Sequence, residues 1–158
     1  MPRDIATIGV YGTTENSFFD ALKANGTTHF VDIRRRRGLR GHEYAYANSA
    51  ALQTKLSQLG ITYLHDLSLA ASDQARAAQK QIDQQEGARQ RSRDHLSDAF
   101  KALYRQQALT DFDPRIFLSQ FQPNAKIVLF CVEHSPYACH RSLVAESLAP
   151  GAWHDLTP

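Results

Sequence analysis

The sequence predicts an α/β fold: a single three-layer domain with a mostly parallel sheet and a long helical insertion. Three observations carry that expectation. Ile127–Val132 is an unbroken apolar run rich in β-branched residues, as suits a strand covered on both faces. Similar short runs alternate with helix-forming stretches, the pattern that crossover connections turn into parallel sheets. At 158 residues, 42% apolar and 22% charged, the chain can build one substantial core but not two comfortable ones. The expected domain is 1–158, with 70–108 as a helical arm or lid within it.

Taken in order, Ile5–Val10 reads as a first buried strand, followed by a glycine-containing turn over Gly9–Thr14. Thr14 is the expected cap of a helix whose inward face carries Phe18, Phe19 and Leu22 and which stops at Gly26. His29–Ile33 is the second strand. Ser49–Leu59 is a helix with Leu52, Leu56 and Leu59 at core spacing, and Ile61 opens a third strand ending at Tyr63, His65 and Asp66. Ala70–Gln107 is nearly all helix formers, poor in large apolar residues in its first half and with Gly87 as a break; Leu96, Phe100, Leu103 and Tyr104 in its second half should dock. Asp113 and Pro114 open a further short helix. After the central strand, Ser135 and Pro136 are the expected cap and first residue of a helix running to Leu148, before Pro150 and Gly151. Ala152–Leu156 reads as an edge strand.

A net charge of +2 makes no bulk case for nucleic acid, so such a case rests on local clusters. No GxGxxG or Walker pattern is present. Two cysteines, no signal-like N-terminus and no apolar run of membrane length point to a reduced, cytoplasmic protein without a membrane partner. A Cys131–Cys139 disulfide is the less favoured reading.

The most unusual composition lies between the second strand and the next helix. Arg34, Arg35, Arg36, Arg37 and Arg40 fall within seven residues, with Tyr44 and Tyr46 just after and Gly38 and Gly41 for mobility. Guanidiniums beside aromatic rings suit phosphate contact and base stacking; the plain alternative is a solvated basic loop. Arg89, Arg91, Arg93 and His95 form a second basic patch diluted by Asp83, Glu86, Asp94 and Asp98, the usual composition of a solvated face.

The segment FCVEHSPYACHRSLVAESL, a strand ending in Cys-x-Glu, a Pro-containing turn and Cys-His-Arg opening a helix, resembles the C-terminal signature of the domain of unknown function 488 family. TIGVYGTTENSFFDAL, VDIR at Val31–Arg34 and ITYLHDLSL at Ile61–Leu69 are similar to that family's other blocks in the same order, covering the ends and roughly the first 70 residues. The resemblance implies a compact cytoplasmic α/β domain and no particular activity. This chain departs from the pattern with Val10 and Tyr11 where His-Ser is usual, and with Leu69, Ala70 and Ala71 where Leu-Gly-Gly is frequent.

In a parallel sheet the carboxyl edge would collect Tyr11, Asp32, Arg34, His65, Glu133 and the Cys139–Arg141 segment. On the enzyme reading, Arg141, Arg34 and helix amides bind a phosphate or other anion, Glu133 is general acid or base, and His140 or His65 assists. Cys139 is a candidate nucleophile, although the phosphatase loop would require an Arg six residues after the Cys, where Tyr137 and Ala145 stand. A metal site from Cys131, His134, Cys139 and His140 has none of the common zinc spacings, so no metal is expected, and the sequence specifies no cofactor. The alternatives are a non-catalytic nucleic-acid-binding module using the Arg-rich loop and an assembly protein forming a homodimer through the long helix. An architectural reading makes Arg141 a salt-bridge partner of Glu133. The expected function is a small enzyme acting on a phosphate-bearing ligand, with nucleotide or nucleic acid as the leading partner class.

Overall fold

A computed structural model describes residues 3–88 and 93–158. Among these residues five strands form one sheet, all parallel, in the order β3-β2-β4-β1-β5. The strands are β1 (Asp4–Ile8), β2 (His29–Asp32), β3 (Thr62–His65), β4 (Lys126–Phe130) and β5 (His154–Asp155). The helices are α1 (Glu15–Ala24), α2 (Ser49–Gln58), α3 (Asp73–Glu86), α4 (Asp98–Tyr104), α5 (Pro114–Ser119) and α6 (Arg141–Leu148). Right-handed crossovers put α1 and α2 on one face and α5 and α6 on the other, giving three layers.

The central strand is β4, whose Ile127, Val128, Leu129 and Phe130 are all fully buried, because helices cover both faces. Phe18 of α1 stacks edgewise on Phe30 and Phe130, tying the first helix to the two middle strands. Thr14 caps α1 in a reciprocal capping box with Ser17.

The chain between β3 and β4 differs from a projecting arm. α3 runs from a Ser72 cap to Gly87, which ends it in the left-handed conformation at φ 71°, and α3 lies against α4. Its inward positions are Ala75, Gln79 and Asp83, so the face it buries is partly polar. Gln79 donates to Asp83 at 2.7 Å and accepts the Ser97 backbone N–H at 2.9 Å, which satisfies groups that would otherwise be costly to bury. Tyr104 of α4 sends its hydroxyl to the Leu69 carbonyl at 2.6 Å, and a short π turn over Arg105–Leu109 follows.

A second difference lies after β4. The expected helix from Pro136 is only a 3₁₀ turn over Pro136–Ala138, capped by Ser135. Cys139, at φ −140° and ψ 147°, is extended and interrupts it, and α6 starts afresh at Arg141. Cys139 therefore precedes the helix instead of lying in its first turn.

Candidate functional site

The site is built where the carboxyl ends of β1, β2 and β4 meet. The backbone past β1 stays in register with the backbone past β4: the N–H groups of Val10 and Tyr11 both donate to the Val132 carbonyl, at 3.1 and 3.0 Å. Gly9 lies so close to Glu133 that any side-chain carbon there would overlap its carbonyl, so only glycine permits this approach.

The end of β2 carries Asp32, fully buried, and Arg34, only 3% exposed. Arg34 grips Asp32 with two bonds, Nε to Oδ1 at 2.9 Å and Nη2 to Oδ2 at 2.8 Å, while Tyr63 donates to Oδ2 at 2.7 Å. A fork-to-fork pair of this kind is the strong form of arginine–carboxylate contact and holds the guanidinium 4.6 Å over the Phe130 ring. Its third nitrogen, Nη1, is buried and has no hydrogen-bond partner among the described residues.

Beyond β4, Glu133 is 4% exposed and accepts Arg93 Nη2 at 2.6 Å. Arg93 also bonds Asp83 at 3.0 Å and the Ala138 carbonyl at 3.1 Å, so one guanidinium joins α3, the β4 end and the 3₁₀ turn. Burial, reinforced by the adjoining Cys139, pushes the Glu133 carboxyl up to about 7, with Arg93 opposing. Arg141 is fully buried and does different work: Nη1 donates to the Glu133 carbonyl at 2.6 Å and Nη2 to the His134 carbonyl at 3.1 Å, with Asp155 Oδ1 at 3.4 Å. It clamps the turn to β5 by its main chain.

Cys131, Cys139 and His140 converge as a third cluster. His140 Nδ1 lies 3.9 Å from Cys131 Sγ and 3.8 Å from Cys139 Sγ. Its Nε2 is 3.0 Å from the Ile33 carbonyl; a carbonyl only accepts, so Nε2 carries the hydrogen and Nδ1 faces the sulfurs. Burial acts to raise Cys139, but the bond from Cys131 and the facing His140 outweigh it and hold this thiol well below its usual range. Cys131 is pushed up by that same bond and by burial. Burial works against a charged His140, yet Cys139 beside it shifts it upward.

These groups form the floor of a cleft of about 880 Å³ between the Arg-rich loop and α3. Cys131, Val132, Glu133 and His140 line its base; Arg34, Arg35, Arg36, Arg40, Arg76, Lys80 and Arg93 line its walls against the carboxylates of Asp73, Asp83 and Glu133. A smaller hollow of about 450 Å³, lined by Tyr44, Gly12 and His134 among others, shares Tyr11 and Arg93 with it.

Of the residues singled out from sequence, Tyr11, Arg34, Arg35, Arg36, Arg40, Glu133 and His140 line the larger cleft, and Tyr44 lines the smaller. Cys139 sits behind its base at 1% exposure, where Cys131 is the sulfur that reaches the cleft. Asp32 and Arg141 are fully buried in supporting contacts, and His65 bonds the Arg34 carbonyl at 2.8 Å through Nε2. Tyr46 corrects the surface expectation: its ring packs on Phe18 and Phe19 and its hydroxyl meets Thr13, so it belongs to the core. The Arg-rich loop is also tied down more than its glycines suggest. Arg35 bonds the Ala71 carbonyl at 2.8 Å, Arg37 contacts Tyr63, and Asn48 accepts the Leu39 N–H at 2.7 Å.

One participant escaped the sequence reading and another was undervalued by it. Arg93 read as part of a solvated patch, since nothing in its spacing reveals partners 10 and 40 residues away. From sequence, Cys131 joins Cys139 and His140 only in a metal reading put aside on spacing, and the structure brings those three together without His134. Arg89 and Arg91 of the same patch lie outside the described residues.

A family model described as "Domain of unknown function DUF488" matches residues 15–148, a span that includes the helical segment between β3 and β4. No curated protein and no solved structure matches the chain. No helix among the described residues is long and apolar enough to cross a membrane.

Proposed function

The chain belongs to the domain of unknown function 488 family, and from that premise we propose that it is a small enzyme acting on a phosphate-bearing ligand, a nucleotide or nucleic acid, at the carboxyl edge of the sheet. The observation that carries this reading is Arg34: a buried guanidinium in the cleft wall with one nitrogen lacking an acceptor among the described residues. A buried donor left without a partner costs about 1–3 kcal/mol, more when charged, and a ligand oxygen would relieve it. Arg36 and Lys80, exposed on the two facing walls, have no hydrogen bond or ion pair among the described residues and supply further positive charge. Glu133 at the floor is the general acid or base, placed by Arg93; His140 assists, and His65 holds the peptide of Arg34. Two free buried cysteines suit a reducing, cytoplasmic compartment.

The alternative, a binding module without catalysis, draws on the same cations and separates from the enzyme at Glu133. The test measures binding of inorganic phosphate, adenosine 5′-monophosphate and single-stranded RNA, with chromatographic analysis for product. Wild-type protein should bind at least one of them, more weakly as salt rises. Arg36→Ala with Lys80→Ala should weaken that binding about tenfold. Glu133→Gln should bind and lose turnover. Binding without product in the wild type would replace the enzyme with the module, and absence of binding to all three would remove the phosphate reading altogether.

A further inference from the structure

We propose that Cys131, Cys139 and His140 form a binding site for a zinc-class divalent cation, with its remaining coordination position open to the cleft. The two sulfurs and His140 Nδ1 all lie within 4.8 Å of one another, and every one of the three residues is buried. Nδ1 stands 3.9 and 3.8 Å from the sulfurs. A tetrahedral zinc with bonds of about 2.3 Å to sulfur and about 2.0–2.1 Å to nitrogen holds nitrogen and sulfur about 3.6 Å apart, so closing the imidazole and each sulfur on an ion requires shifts of only a few tenths of an ångström.

The imidazole is prepared for that role. Its Nε2–H is committed to the Ile33 carbonyl at 3.0 Å, leaving Nδ1 as the lone-pair donor toward both sulfurs, which is how proteins orient metal-binding histidines. The ring is wedged against Tyr104, with centroids 5.0 Å apart, and Tyr104 is anchored through its own hydroxyl to Leu69. Two thiolates would neutralise a dication, their protons leaving to solvent on binding.

Three protein donors leave one tetrahedral position unfilled, the arrangement of reactive rather than purely structural zinc. Cys131 and His140 both line the cleft, so that position faces the space where a ligand would enter. The sequence spacing argued against a metal because the donors come from the end of β4 and from the extended residue before α6. No zinc-finger loop joins them. The inference does not depend on the phosphate-ligand reading, although an ion on Nδ1 would take His140 out of its assisting role: the cation and the anion are assayed separately, and either can fail alone.

The test uses the full chain, stripped of metal and kept reduced, titrated with cobalt(II). Wild-type protein should develop thiolate-to-cobalt charge-transfer and tetrahedral visible bands that saturate at one ion per chain and vanish when zinc is added. Cys131→Ser and Cys139→Ser should each lose about half the charge-transfer intensity and bind at least about tenfold more weakly. On unaltered protein, zinc should also slow alkylation of both cysteines at least about tenfold, a readout that needs no variant to fold. A fully reduced wild-type protein giving no charge-transfer band, or alkylation unaffected by zinc, would overturn the proposal, as would undiminished bands in both variants.

Discussion

Arg141 and Arg36 serve the same edge of the sheet and have opposite fates. Arg141 is sealed in, fully buried, its two terminal nitrogens spent on the Glu133 and His134 carbonyls and on Asp155, with only Nε lacking a partner among the described residues. Arg36 stands exposed in the cleft wall with no partner among the described residues. Arg34 lies between them, buried like the first yet lining the cleft like the second, with its terminal Nη1 unspent among the described residues. The contrast teaches that a guanidinium's task here follows from the acceptors the fold has placed around it, not from its place in a basic run. Arg141 organises main chain; Arg36 remains for something that arrives.

The comparison can be broken most forcefully at Arg141. Arg141→Ala leaves two carbonyls and Asp155 facing a void and should cost about 3–5 kcal/mol, read as a lower urea midpoint. A loss under 1 kcal/mol would show the clamp to be dispensable.

Next in size is a pH effect at Glu133. Its carboxyl is raised in the folded state from 4.5 to about 7, so the folded protein holds a proton that the unfolded chain releases. This contribution to stability is present below about pH 4.5 and is lost as pH rises towards 7, by as much as about 3 kcal/mol at roughly 1.4 kcal/mol per pH unit. Cys139, whose folded pKa is depressed, gives the opposite slope. The difference between wild type and Glu133→Gln, both metal-free, isolates the first effect: the variant should lack the decline between pH 4.5 and 7. Parallel curves would contradict it.

A smaller effect tests α3 as a wall of the cleft. Ser72 accepts the Ala75 N–H at 3.0 Å and donates to Gln107 at 2.5 Å, so Ser72→Ala should cost about 1 kcal/mol and loosen the wall, seen as faster hydrogen exchange in α3. Smallest of all, Arg36→Ala with Lys80→Ala should change stability by less than about 0.5 kcal/mol while changing ligand affinity. A stability loss as large as that of Arg141→Ala would erase the division between rim and interior.

Much of the architecture is legible in the sequence because burial on both sides leaves continuous apolar runs, as in β4, and because Thr14, Gly26 and Pro114 punctuate helices by local chemistry. The carboxyl-edge gathering of Arg34, Glu133 and His140 follows from strand direction alone. What could not be read depends on distant partners. Gln79 and Asp83, one helical turn apart, look like solvated positions until α4 and Arg93 cover them. The extended break at Cys139 is equally hidden, since Ser135 and Pro136 begin a helical turn without fixing how far it runs. Tyr46 follows two glycines and five arginines, yet Phe18 and Phe19 claim it.

The borders of the sheet carry a further consequence. β3 has only four residues and β5 only two, and among the described residues these are the strands whose outer sides lack a neighbour in the sheet. Such short ribbons give a second polypeptide few backbone groups on which to zip, so the protein resists edge-to-edge aggregation by brevity rather than by charge.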